Sequence, residues 1–372
     1  MKKNSKSWLI LSLCFLLIMV SIVCFIQSRS KSSTQSITLT DVGFDTSITF
    51  QADCTDEEFA KYTKIVESTF KENNKRFDQY HAYSKINNIY TINHEAANHP
   101  IEVDQTIMKC IKDAIKINQV CSKFDISYGS VMNIWHDYRE QGMTLNEKGK
   151  SGNLPSQEEL NAASQHTGMD KIQIQGNTIS LTDSQCMLDL GGIAKGYTAQ
   201  LTKEKLNKAG LHNGFINAGG NVVLIGKKSD GSNWNIGVQN PDSSDSLLNI
   251  EVLNIEVDQT NQAIVTSGDY QRYYTVNGTR YSHIIDPDTL MPAKQCRSVT
   301  VLTKNSTKAD GLSTALFSLN FEDGYALAKK EKVQAIWIFD KAQAPNKKAD
   351  FTTKDFKIYT TKSIRKKVSL SN

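Results

Sequence analysis

Several familiar signatures are missing from this 372-residue chain. It has no G-x-x-x-x-G-K-[ST] phosphate loop and no G-x-G-x-x-G dinucleotide fingerprint, and it lacks both the G-x-S-x-G nucleophile elbow and the H-E-x-x-H zinc helix. Its seven cysteines include no C-x-x-C pair and no metal-ligand spacing, which removes a thiol relay and a zinc ribbon. Two of them, Cys14 and Cys24, lie in an apolar run, and Cys54, Cys110, Cys121, Cys186 and Cys296 read as buried free thiols. Charge of one sign is also scarce: the formal balance is +4, with no basic face interleaved with aromatics, so no nucleic-acid partner is expected. No internal repeat is visible.

What is present is a globular composition, 39% apolar and 22% charged, behind a distinctive start. "MKKNSKS" (residues 1–7) is basic and "WLILSLCFLLIMVSIVCFI" (residues 8–26) carries no charge. That run is long for a cleaved signal and no small-x-small site follows, so it reads as an uncleaved transmembrane helix. Lys2, Lys3 and Lys6 would stay in the cytoplasm and the body would lie outside, at the cell membrane. Residues 27–37 read as a polar linker, 38–361 as the folded domain and 362–372 as a solvated basic tail. Within the domain, helical and strand patterns alternate without strict order, which predicts an α+β fold, a mixed sheet with packed helices.

Four stretches could carry chemistry. "LDLGGIAKG" (residues 188–196) predicts a strand, a glycine turn and a helix whose free N–H groups suit a phosphate. Lys195 in the first helical turn opposes the helix dipole, which hints at an anionic ligand. "KADGLSTAL" places Asp310, Ser313 and Thr314 on one helical face, as a set of oxygens for Mg²⁺ or, more simply, with Asp310 as an N-cap. "FDISYGSVMNIW" (residues 124–135) reads as an irregular aromatic loop able to stack on a planar ring, or as a packed loop. His283, in "YSHIIDPDTLMPA", sits where an aliphatic run breaks into an Asp-Pro-Asp turn, as a core histidine or as a functional one.

Taken together and in order, these stretches, with "INAGGNVVLIG" and "TSGDYQRYYTVNGTRYSHIIDPDTLMPA", resemble the FAD:protein FMN transferases, the ApbE-like flavin transferases, over roughly residues 40–340. The resemblance implies an enzyme that cleaves FAD with Mg²⁺ and attaches FMN by a phosphoester to a Thr or Ser hydroxyl of an acceptor protein, releasing AMP. The implied acceptors are membrane or cell-surface redox proteins with a Ser/Thr-Gly-Ala-Ser/Thr motif. Residue by residue, it implies His283 as the catalytic base and Tyr80, Lys123, Phe124, Asp125, Asp189, Lys195 and Ile285 as nucleotide contacts. It also implies Asp310, Ser313, Thr314 and the carbonyl of Gly192 as metal ligands. The chain departs from the pattern at Leu290, where glycine is usual, at Ser130, where proline is common, and before Tyr80, where a serine is missing. Alternatives in the same frame are an FAD pyrophosphatase yielding FMN and AMP, and a cell-surface FAD-binding protein. A flavin oxidoreductase lacks the paired cysteines for electron relay.

Overall fold

The computed structural model describes residues 32–242, 251–258, 260 and 262–371. The transmembrane helix expected at residues 8–26 lies outside the described residues. Among the described residues, no helix is long and apolar enough to cross a membrane.

The core is a nine-stranded sheet formed by β1 (Ser33–Leu39), β2 (Ile48–Cys54), β3 (Gly214–Ala218), β4 (Asn221–Ile225), β5 (Ala263–Gly268), β6 (Ser298–Thr303), β7 (Gln334–Asp340), β8 (Phe351–Thr352) and β9 (Phe356–Thr360), in the order β1-β2-β3-β4-β5-β6-β7-β9-β8. Every neighbouring pair is antiparallel, which corrects the expected mixed sheet while keeping the α+β class. β3 and β4 are joined by a two-residue turn, and the helical segments between β2 and β3 and between β6 and β7 return the chain to the adjacent antiparallel strand.

The central strands are buried on both faces, and their period-two pattern divides their side chains between two layers. On β7, Ala335, Trp337 and Phe339 enter the large core shared with the helices, whereas Ile336 and Ile338 enter a second core. That second core is closed by a three-stranded sheet of Trp234–Gln239, Glu251–Val257 and Val368–Leu370. Residues 362–371 are therefore not a solvated tail. Val368–Leu370 pairs with Leu253–Ile255, Ile364 is fully buried, and Lys367 binds Asp258 at 2.6 Å. Likewise residues 33–37, expected in the linker, form most of edge strand β1.

Eight helices complete the described fold: α1 (Asp56–Phe77), α2 (Ile89–Glu95), α3 (Gln105–Val120), α4 (Gly129–Glu147), α5 (Gln157–Ser164), α6 (Ala194–Ala209), α7 (Ser306–Phe317) and α8 (Phe321–Lys330). Local rules explain most of their starts. Thr55 and Glu58 form a reciprocal capping box for α1, and Ser156 with Glu159 does the same for α5. On α1, Tyr62, Val66, Phe70 and Phe77 recur at helical spacing and are buried. The aromatic stretch expected as a loop is in fact helix from Gly129 onward. Gly129 donates to the Met187 carbonyl at 2.9 Å, and a Cβ there would fall 2.5 Å from that oxygen, so the residue that reads as a loop former is a close-approach site instead.

The C-terminal segment gives a test of this architecture. Ile364→Ala is expected to lower unfolding free energy by about 2–5 kcal/mol, the usual range for a buried aliphatic truncation. Denaturant titration followed by far-UV circular dichroism measures it; an unchanged midpoint would mean that the segment is solvated after all.

Candidate functional site

A cleft of about 760 Å³ opens where the start of α6, the middle of α7 and the ends of β4 and β5 converge. This volume is in the range of small-molecule and cofactor pockets. Each wall has a local cause. The turn between β3 and β4 consists of Gly219 and Gly220 at φ +57° and +92°, a two-residue hairpin that requires left-handed backbone. A Cβ on Gly219 would lie 2.3 Å from the Thr46 hydroxyl, so glycine there lets the 44–46 loop close against the turn and brings Asn221 into the cleft.

Helix α6 begins at Ala194 with no side-chain cap of its own. Its Gly196 N–H donates instead to Asp310 Oδ2 at 2.7 Å, across from α7. Gly196 has no room for a side chain, since a Cβ would sit 2.5 Å from Asp310 Cβ and 2.4 Å from the Ser306 carbonyl. Asp310 is therefore not the N-cap of its own helix. Asn305 caps α7, accepting from the Lys308 N–H, and Asp310 lies a turn further in, completing the end of α6. The expected strand before the glycine turn is absent: Asp189 lies in irregular chain, held by its N–H to the Ile126 carbonyl at 2.8 Å.

Eleven of the twelve residues singled out in the sequence line this cleft: Tyr80, Lys123, Phe124, Asp125, Asp189, Gly192, Lys195, His283, Ile285, Asp310 and Thr314. Ser313 does not. It is fully buried, its hydroxyl donating to the Asp310 carbonyl at 2.9 Å and pairing with the Ser267 hydroxyl at 2.8 Å, and Ser267 is the residue that faces the cleft.

The histidine is fixed by one carbonyl. The Arg272 oxygen accepts from the His283 backbone N–H at 3.1 Å and lies 3.2 Å from its Nδ1. A carbonyl can only accept, so the proton sits on Nδ1 and Nε2 keeps its lone pair. Burial, followed by the charges of Arg272, Lys195 and Arg139, lowers the His283 pKa to about 3, which keeps the ring neutral. Burial also lowers the pKa of Lys195, opposed by Asp310. Burial raises that of Asp310, opposed by Lys195, by the Gly196 N–H and by the Asn221 amide. A buried carboxylate with only partial compensation is a group that favours a cation.

The turn after His283 is gripped from the other side. Lys123 binds the Asp286 carboxylate, and Asp288 at 2.7 Å. Tyr128 donates to the Pro287 carbonyl at 2.7 Å, and Trp135 Nε1 to the Leu290 carbonyl at 2.8 Å. The Lys123 ammonium is thus a strap within the protein as well as a cleft residue. Leu290 adopts φ +60°, the conformation glycine favours, while its side chain is 8% exposed in a cluster with Tyr128, Trp135 and Tyr274. Apolar burial offsets a backbone cost of about 1–2 kcal/mol, so the turn keeps its left-handed shape without glycine.

Several cleft residues carried no role in the sequence: Gln79, His136, Arg139, Asn221, Thr266 and Arg272. Asn221 and Arg272 fall inside quoted stretches but are of types that many loops carry. His136 and Arg139 belong to the part of α4 that follows the stretch read as a loop, where helical spacing had not been applied. Tyr80 is 45% exposed and stacks on His136 at 4.7 Å between centroids, and burial, then Asp189, raises its pKa to about 12.

An antiparallel α+β fold with a cleft lined by half-buried cations, a buried carboxylate and an aromatic rim suits a class of proteins that hold a polyanionic, ring-bearing ligand. The comparisons agree. The chain belongs to the ApbE family, whose sequence pattern matches residues 42–337. It is 32% identical over 263 residues to a protein named FAD:protein FMN transferase from Vibrio cholerae serotype O1, covering 70% of this chain and 75% of that one. It is 30% identical over 295 residues to one of the same name from Haemophilus influenzae, covering 78% and 79%. The solved structure of flavin transferase ApbE from Vibrio cholerae superposes with a TM-score of 0.71 at 26% identity, covering 90% of this chain and 99% of that one. The apo flavinyl transferase ApbE of Pseudomonas stutzeri superposes at 0.72 with 23% identity, a likeness that bears on the fold alone.

The strap is open to test. Lys123→Met leaves the Asp286 carboxylate, whose side chain is 7% exposed, without its cation. Removing one partner of a buried pair typically costs about 3–5 kcal/mol, and that loss is expected in chemical unfolding. A loss below about 1 kcal/mol, the size of an exposed pair, would show that the strap is not structural.

Proposed function

We propose that this chain is a FAD:protein FMN transferase, and that His283 is its general base. The observation that carries the reading is the locked tautomer of His283, which leaves Nε2 unprotonated in the same cleft as Lys195, Arg272 and Asp310. Family membership and the names of the relatives support it.

In this reading FAD lies with its pyrophosphate between Lys195 and Arg272, whose charges favour the anion and attract the electrons that the leaving group acquires. A Thr or Ser hydroxyl of the acceptor protein enters beside His283. The hydroxyl oxygen attacks the phosphorus of the FMN moiety, the P–O bond to AMP breaks, and the hydroxyl proton passes to His283 Nε2. AMP leaves with the bridging oxygen. The pyrophosphate's charge counteracts Lys195 and Arg272, so the imidazole becomes a stronger base once substrate is bound.

The oxygen donors fit a hard cation. Asp310 and Thr314 stand one turn apart on α7, and the Gly192 backbone lies close enough to Thr314 that a Cβ would be 3.3 Å from its hydroxyl. Asp310, Thr314 and the Gly192 carbonyl would hold Mg²⁺, which when bound supplies charge neutralisation at the pyrophosphate. Ser313 supports this set through its bond to the Asp310 carbonyl.

The proposal extends to location. The uncharged run at residues 8–26, behind three lysines, would anchor the enzyme with its domain outside the cytoplasm, beside acceptors carrying a Ser/Thr-Gly-Ala-Ser/Thr motif. The full chain is then expected in the membrane pellet after alkaline extraction and a 34–372 fragment in the supernatant; equal partition of the two overturns the anchor.

The activity is tested by incubating the enzyme with FAD, Mg²⁺ and an acceptor bearing that motif, then reading flavin fluorescence on the acceptor band and AMP in solution. A fluorescent band is expected, lost with EDTA and reduced by about 10²–10⁴-fold in His283→Ala, the usual contribution of a general base. AMP without a band points to the pyrophosphatase, and neither product sinks the catalytic role. The pH dependence is specific. A base must be deprotonated to act, and an ordinary histidine loses half its activity near pH 6.5. With a pKa lowered to about 3, His283 stays active on acidification, so kcat/KM should show no histidine limb between pH 7 and 5.

A further inference from the structure

Among the described residues, two buried polar atoms of the cleft have no hydrogen-bond partner: Asn221 Nδ2, whose amide faces the Asp310 carboxylate, and Oε1 of Gln79, a residue with no assigned role. Gln79 is held rigidly: its Nε2 donates to Asp189 Oδ2 at 2.9 Å and to the Tyr80 hydroxyl oxygen at 3.2 Å. Asp189 is fixed in turn, its Oδ1 accepting the Gly191 N–H at 2.6 Å. A carboxylate can only accept, so the amide cannot be turned the other way round, and Oε1 is the atom left over. Oε1 is buried and accepts no hydrogen bond. A buried amide oxygen without a donor is costly, and such atoms in native structures call for a specific explanation.

The surroundings say what kind of donor would come. Gln79 lines the cleft between Asp189 and Tyr80, whose ring is half-exposed and already stacked on His136. Phe44, Phe77 and Met132 add apolar surface to the same cleft. Such a setting takes a flat heteroaromatic ring, and a buried acceptor at its edge selects a ring that carries an N–H there.

We propose that Gln79 is a specificity-determining residue: its Oε1 accepts a hydrogen bond from a ring or ring-amino N–H of the bound dinucleotide. The inference rests on the flavin reading above. FAD offers that chemistry at two places, the imide N–H of the flavin ring and the amino group of adenine. The Asp189–Gln79–Tyr80 chain then acts as one unit, with Asp189 orienting the amide that reads the ring.

The test is a cycle of one side-chain change against two ligand changes, using the full chain and reading binding by quenching of flavin fluorescence. The ligands are FAD, FAD methylated at the flavin imide nitrogen, and FAD with hypoxanthine in place of adenine. Gln79→Met, of similar length but without a polar oxygen, is expected to weaken FAD about tenfold, the usual effect of one neutral hydrogen bond. One analogue should bind the wild type about tenfold more weakly than FAD does and should lose nothing further in Gln79→Met. Methylation identifies the flavin ring as the group read, and hypoxanthine identifies the adenine. Gln79→Leu serves the same cycle if the methionine variant does not fold. Equal losses for all three ligands in Gln79→Met, or no loss at all, overturn the proposal while leaving FAD binding intact. A wild-type chain that binds none of the three overturns the flavin reading and this inference with it.

Discussion

The contact between the Asp310 carboxylate and the Gly196 N–H holds the cleft together. It joins the beginning of α6 to the interior of α7, two helices that pack against each other in the main core. A carboxylate taken out of water is unfavourable unless its lone pairs are met. Here they are met in part by an uncapped helix start, which needs an acceptor and whose dipole favours negative charge. Each side thus relieves the other. The arrangement also dictates Gly196, because any side chain would displace Asp310, and it aims Lys195 into the cleft one residue earlier. One hydrogen bond therefore positions a carboxylate, a cation and the Gly-rich turn together.

The opposite wall follows a different logic. His283 is held from two sides by hydrogen bonds and ion pairs. On one side the Arg272 carbonyl takes both of its available donors, and the Arg272 guanidinium is itself anchored on the Phe44 carbonyl at 2.9 Å. On the other side Lys123, Tyr128 and Trp135 grip the turn that follows. The result is an imidazole with a defined tautomer on a segment with little freedom, kept neutral by burial and then by adjacent positive charge. A base placed on a mobile loop would spend most of its time away from the proton it must take.

Much of this was legible in the chain. The helices at Asp56–Phe77 and Gln105–Val120, the hairpin around Asn277-Gly278 and the strand at Ser298–Thr303 follow from periodicity and turn chemistry alone. Legibility failed where a residue's local meaning and its tertiary meaning differ. Gly129 reads as a loop former, yet it sits at the start of a 19-residue helix because the Met187 backbone leaves no space for a side chain. Asp310 sits where a cap is plausible, yet the helix it completes lies more than a hundred residues earlier, and no local pattern reveals that. The C-terminal residues look like a solvated basic tail because their charge is clustered, but Ile364 and Val368 are interspersed at positions the second core requires.

Leu290 shows how a residue other than glycine can hold a left-handed turn. Glycine would adopt the left-handed turn at no steric cost, whereas leucine adopts it only if something else holds the backbone there. Here its carbonyl is fixed by Trp135 and its side chain fills the aromatic cluster under α4. That cluster also packs Ile285 and Tyr128, the residues flanking the His283 turn. Leucine here exchanges conformational freedom for a packing anchor, and a turn that glycine would leave adaptable is part of the support beneath His283.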